Sequence, residues 1–217
     1  MNKTKQTILE TALLLFNSDG LSVVTLRTIA NKMKISQGNL NYHFKKRDDI
    51  IEALYFELVE HINKSMEDLK LQDSKNNLKT LADILHTMMT IFYEYRFFFL
   101  DFVQIMRGNK KIEKHYTILS KQREEQFSVL FKLLVKNRLM RNEALQDEYN
   151  YLYKRFSILG NFWISEAEIQ NSKLTKKMIA TYAVILFQAI YPYLTLEGQK
   201  EYNSINFECF NLLLRGV

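Results

Sequence analysis

Apolar residues recur every three to four positions along nearly the whole chain, and no stretch alternates polar and apolar residues long enough to predict a strand. An all-α fold follows. The first helix is expected over 4–18, with Ile8, Ala12, Leu15 and Phe16 on one face and Asp19-Gly20 as a left-handed stop. Two short helices come next. Thr25 caps a segment whose Leu26, Ile29, Ala30 and Met33 share a face, and Ser36 caps a second over 37–44. The three residues between them, 34–36, give the turn length of a helix-turn-helix. A long helix over 47–69 carries the stripe Ile50, Leu54, Leu58, Ile62 and Met66, with Asp48, Asp49 and Glu52 near its positive end. After a polar connector over 70–77, helices are expected at 78–95, 96–107, 110–137, 146–168, 173–194 and 196–214, with Pro192 kinking or closing the penultimate one.

Composition fits a packed helical protein: 47% of the 217 residues are hydrophobic and 13% aromatic, with 6 Gly and 1 Pro. Collagen-like, low-complexity and largely disordered chains are excluded. Charge divides the chain more sharply than composition does. Residues 1–47 carry eight basic side chains and two acidic ones, whereas the remainder is balanced, so the whole net charge of +6 sits in the first fifth. That asymmetry is expected of a nucleic-acid-binding module joined to a neutral domain, although an ordinary solvated basic end has the same composition.

A single cysteine, Cys209, rules out an intrachain disulfide framework and reads as a small apolar residue with no neighbouring base. No signal peptide is visible, and the longest apolar stretch, 182–194, is broken by Gln188 and Pro192. A cytoplasmic protein is expected. Among the histidines, His61, His86 and His115 have no partner His or Cys at i+3 or i+4, and His43 belongs to the second short helix. With no phosphate-binding glycine loop or nucleophile elbow either, the chain offers no catalytic residue, no metal ligand set and no cofactor.

The most specific stretch runs from Thr25 to Phe44. Ala30 is small enough to let two helices approach, and Ile29, Met33, Ile35, Leu40 and Phe44 are the expected wedge between them. Gln37, Gly38, Asn39, Asn41, Tyr42 and His43 are left outside, where side chains of a recognition helix reach base edges and phosphates. Together with the helix ending at Gly20, Thr25-Leu26-Arg27-Thr28-Ile29-Ala30, Ile35-Ser36-Gln37-Gly38-Asn39-Leu40 and His43-Phe44 followed by Arg47-Asp48-Asp49-Ile50, this stretch resembles the tetracycline-repressor (TetR) family of bacterial transcription regulators. The resemblance covers about 47 residues by motif; the rest matches in length and helical content. Asn41 stands where many members have Tyr, and Lys46 stands where a capping Ser is common.

The resemblance implies a helix-turn-helix DNA-binding domain over 1–47 and a helical ligand-binding and dimerisation domain over 48–217. It implies a ligand-responsive repressor that binds an inverted-repeat operator as a homodimer and leaves it when a hydrophobic small molecule binds. The expected DNA contacts are Thr25, Arg27, Ser36, Gln37, Gly38, Asn39, Asn41, Tyr42, His43, Lys45, Lys46 and Arg47. The competing class is a helical interaction module whose basic N-terminus binds nucleic acid or an acidic partner without sequence choice.

The segment from Phe92 to Phe102 packs seven aromatics into eleven residues, too many for one helical stripe. Solid core and ligand cavity are both open readings there. The expected effector residues are Tyr93, Phe98, Phe102, Met106, Phe127, Phe131 and Trp163, with Asp101 or Gln126 as orienting polar groups. The helices near 146–168 and 173–194 carry apolar residues on more than one face, so they are either central or shared between subunits; Gly160 leaves room for a partner backbone, and the resemblance implies the shared, dimer-forming role.

Overall fold

The computed structural model describes residues 3–72, 77–171 and 174–205, and among these its regular structure is helical, with one isolated bridge between Met140 and Leu194 and no strand. The described residues form eleven α-helices: α1 Lys3–Asp19, α2 Leu26–Met33, α3 Gln37–His43, α4 Arg47–Gln72, α5 Asn77–Glu94, α6 Arg96–Leu100, α7 Phe102–Gly108, α8 Lys110–Lys136, α9 Glu148–Gln170, α10 Lys177–Gln188 and α11 Leu196–Ser204. The all-α expectation holds. Residues 206–214 of the expected last helix, and with them Cys209, lie outside the described residues.

Two of the expected helices end differently from the periodicity. The single helix over 96–107 is broken at Asp101, whose backbone (φ −105°, ψ 20°) is not helical, into α6 and α7. A continuous helix turns about 100° per residue, so three successive phenylalanines cannot share one face. In the short α6, Phe97, Phe98 and Phe99 are all buried. The expected helix over 173–194 stops at Gln188, and Pro192 sits in a 3₁₀ turn, Tyr191–Tyr193, because its ring lacks an N–H and fixes φ.

The chain forms two compact units that do not follow chain order. Residues 1–61 and 94–116 make the first, and 62–93 and 117–217 the second. In the first unit α1 packs on α2 and α6, and α2 on α3. Its centre is aromatic: Phe97 lies 5.1 Å from Phe16, and Phe98 stacks on Tyr55 at 5.3 Å. Asn17 pins α6 to the end of α1, accepting from the Phe97 amide and donating to the Glu94 carbonyl. Two further pairs bridge helices, Tyr55 with His115 Nδ1 at 2.8 Å and Tyr95 with His61 Nδ1 at 3.2 Å.

The second unit is closed by bonds between distant parts of the chain. The Thr195 amide donates to the Leu139 carbonyl, the Arg141 amide to the Tyr193 carbonyl, and the Leu78 amide to Glu201 Oε1. Gly198 lets this closure come close, because a Cβ there would stand 2.0 Å from the Leu139 carbonyl oxygen and force the backbone to shift. At the start of α9, buried Glu148 accepts from both Nη groups of Arg141, at 2.7 and 2.8 Å, and from the Ala144 amide of the preceding loop. Those donors hold the Glu148 carboxyl well below the usual carboxylate range, at about 2.

Candidate functional site

The pair α2 and α3 is built almost entirely from bonds between residues three or four apart. Thr25 Oγ1 accepts from the Thr28 amide while Thr28 Oγ1 accepts from the Thr25 amide, a closed capping box. Lys34 ends α2 in the left-handed region (φ 57°), its amide reaching back to Ala30 and Asn31. Ser36 Oγ then caps α3 by accepting from the Asn39 amide. The apolar wedge is Ile29, Ala30, Leu40 and Phe44, all buried, while Met33 and Ile35 are only partly so. Lys46, in place of a capping side chain, has its own amide capped by Asp49 Oδ2 at 2.9 Å, so half of the missing box is restored.

This framework sets the twelve expected DNA-contact residues in distinct positions. Gln37, Gly38, Asn39 and Tyr42 of α3 are exposed, Tyr42 by 79%, as are Thr25, Arg27, Ser36, Lys45 and Lys46. A Cβ on Gly38 would meet only Ser36 Oγ, at 3.9 Å, so nothing in the chain itself needs the glycine. His43 is partly covered, its ring 5.1 Å from that of Tyr42. Asn41 turns inward: its Oδ1 is buried with no hydrogen-bond partner among the described residues. Arg47 is a strut, its Nη1 donating to the Leu21 carbonyl at 2.9 Å and the Val24 carbonyl at 3.4 Å.

The nine expected effector residues are not gathered into one place within either unit. Phe98, Asp101, Phe102 and Met106 belong to the first unit, and Tyr93, Gln126, Phe127, Phe131 and Trp163 to the second. Phe98 is core, and Phe102 packs on Tyr116 at 5.1 Å. Met106 is half-buried in α7. Burial pushes the Asp101 carboxyl above its ordinary value, against the pull of the Leu21 amide and the Arg47 guanidinium. In the second unit Tyr93 donates to the Leu174 carbonyl, and the Trp163 ring lies 5.0 Å from that of Tyr182. Gly160, expected to admit a partner backbone, faces its own chain, with the Phe92 ring 3.8 Å from where a Cβ would be.

What the second unit does contain is a cleft of about 830 Å³ between the C-terminal part of α4, α5 and α8. Of the expected residues only Gln126 and Phe127 line it; Phe131 lies deeper, 5.9 Å from Phe127, and borders a smaller depression of about 380 Å³. Ile84, Leu130 and Leu133 add apolar wall. The residue that sequence reasoning missed is Arg123. It lines the cleft, donates from Nη1 to Gln126 Oε1 at 2.7 Å and from Nη2 to Asn63 Oδ1, and has its pKa lowered by burial. The signal was present: Leu119, Arg123, Phe127 and Leu130 fall on one helical stripe, so a cation interrupts an apolar face.

Among the described residues no group of three or more His, Cys, Asp or Glu could hold a metal ion, and no helix is long and apolar enough to cross a membrane.

Comparisons with known proteins agree with this geometry. The family profile described as bacterial regulatory proteins, tetR family, matches residues 8–54, and that of the TetR bacterial transcriptional repressor matches 57–202. The chain is 32% identical over 87 residues to a Bacillus subtilis (strain 168) protein described as "Probable HTH-type transcriptional regulator YttP", a match spanning 38% of this chain and 42% of that relative. A TetR-family regulator from Marinobacter aquaeolei VT8 superposes with a TM-score of 0.83 at 20% identity, covering 96% of this chain and 98% of the other. A regulator from Saccharomonospora viridis, solved in complex with choline, gives 0.72 at 17% identity over 88% and 97%. The ketosteroid regulator KstR2 of Mycobacterium tuberculosis gives 0.66 at 16% identity over 90% and 97%. These relatives are transcriptional regulators, not enzymes, and the two family profiles between them span most of the chain. With its helix-turn-helix in α2 and α3, the chain belongs to the TetR family of bacterial transcriptional regulators.

Proposed function

We propose that the protein is a ligand-responsive repressor that acts in the cytoplasm, binds an inverted-repeat operator as a homodimer, and releases it when a hydrophobic effector enters the second unit. The observation that carries this reading is the exposed polar face of α3. Asn39 and Tyr42 stand free on a helix fixed by its own cap, with Gln37 and Gly38 at the N-terminal end and Lys45 and Lys46 just beyond. Amide and phenol groups there suit base edges, while Arg27, Lys45 and Lys46 suit phosphates. Gly38 leaves open space where a sugar-phosphate backbone can approach. Arg47 orders the loop after α1. In this reading residues 1–47 bind DNA, and residues 48–217 bind the effector and dimerise.

One short recognition helix reads too few base pairs for selectivity, and a two-fold protein matches a two-fold site. The proposed interface is formed by α9 and α10. Tyr151, Ile158, Phe162 and Ile169 of α9 and Ile185 of α10 are exposed apolar side chains, Ile169 by 82%, and a partner subunit would cover them. The cleft is the proposed effector site, and the structural neighbour solved in complex with choline supports that reading. α4 is continuous from Arg47 to Gln72, so its tilt couples effector to operator when the effector prefers one tilt by a few kcal/mol.

The test is selection of duplexes from a random pool, followed by band shift in excess random DNA at several salt concentrations. Enrichment of an inverted repeat, with sedimentation as a dimer, is the expected outcome. Salt-sensitive binding with no preferred sequence would instead establish the sequence-blind interaction module.

A further inference from the structure

Taking the cleft of the second unit as the effector site, we propose that its ligand is a monoanionic amphiphile, a carboxylate head on an apolar tail, with the head held by the Arg123 guanidinium. Arg123 is a half-buried cation in none of the ion pairs among the described residues. Its two acceptors, Gln126 Oε1 and Asn63 Oδ1, are neutral amides from α8 and α4. They orient the guanidinium without cancelling its charge. Among the described residues no acceptor takes the other three of its five N–H groups, which lie in the planar fork that fits a carboxylate.

A cation withdrawn from water is normally paired, and among the described residues no counter-charge pairs with it while a cleft of ligand size opens beside it. Burial lowers the Arg123 pKa, as expected of a guanidinium short of compensating charge. Ile84, Phe127, Leu130 and Leu133 offer apolar surface along the same cleft for a tail. Glu67 and Glu125 also line it, both exposed and neither paired with Arg123. Their presence decides the charge of the head. One anion finds one cation, whereas a dianionic phosphate would bring excess negative charge against two carboxylates.

The experiment compares three probes with the same tail, decanoate, decanol and decylammonium, by calorimetry below their aggregation limits. The expected order is decanoate about tenfold or more tighter than decanol, with decylammonium weakest. Arg123→Gln should erase the preference for decanoate and leave decanol binding within about twofold, while Arg123→Lys keeps part of it because the charge survives and the fork does not. Leu130→Trp, which fills the cleft, should weaken all three probes together, and melting curves confirm that each variant is folded. Equal binding of decanoate and decanol, both weakened by Leu130→Trp, would overturn the anionic head and leave the effector cleft standing. Tightest binding by decylammonium would overturn it in favour of Glu67 or Glu125 as the head site. Failure of every probe to bind the wild-type protein, or binding indifferent to Leu130→Trp, would remove both the anionic head and the cleft.

Discussion

The recognition pair and the second unit are both helical, but they are closed by bonds of very different reach. Between Thr25 and Asp49 each cap joins residues three apart: Thr25 with Thr28, Ser36 with Asn39, Lys46 with Asp49. In the second unit the closing bonds join Leu139 to Thr195 and Leu78 to Glu201, across 56 and 123 positions. A cap three residues away is written in the local sequence and recurs wherever that backbone is needed. A bond across half the chain depends on everything between its ends, so it leaves no short motif. The difference explains why the first region is recognisable from a short motif and the second only by a profile that runs over residues 57–202.

Substitutions can sharpen or break this contrast. The largest expected loss is from Phe98→Ala, which empties the aromatic centre of the first unit and should cost about 3–5 kcal/mol in chemical denaturation. A loss below about 1 kcal/mol would mean that the aromatic segment is loosely packed and open to ligand after all. Gly198→Ala should cost about 1–3 kcal/mol, since a backbone carbonyl occupies the place of the new methyl group. If it were neutral, the long-range closure of the second unit would not be what holds it.

Acid should act on that same closure through Glu148. Its folded pKa, about 2, lies below the ordinary value of 4.5, so its stabilising contribution is complete above about pH 4.5 and is lost as pH falls toward 2. Glu148→Gln should therefore melt lower than wild type at pH 7, and the gap should close as melting curves are taken toward pH 2. A constant gap would assign the effect to packing.

The caps should matter less individually. Thr25→Ala and Ser36→Ala should each cost about 1 kcal/mol, and their effects should be nearly additive because the two caps share no atom. Smallest of all in stability is Tyr42→Ala, expected within about 0.5 kcal/mol because the ring is almost fully exposed, yet it should weaken operator binding clearly in a band shift. A Tyr42 variant with both properties unchanged would move the DNA-reading surface off this face of α3.

Periodicity, caps and turn length placed α1 to α4 within a few residues, because helix ends are decided by neighbours three or four positions away. The concentration of charge in the first 47 residues, the caps Thr25 and Ser36 and the buried Ile29, Ala30, Leu40 and Phe44 were legible for the same reason. Tertiary structure decided what no local rule carries. It broke the helix at Asp101, made the phenylalanines of α6 a core, turned Asn41 inward and tied Arg47 to the loop after α1. It also set Arg123 at a cleft among amides that orient it but do not neutralise it. Sequence fixes which side chains share a helix face through a 3.6-residue turn, but which partner meets that face depends on chain segments tens of residues away, and only their packing determines whether an aromatic becomes core or a cation is left facing a cavity.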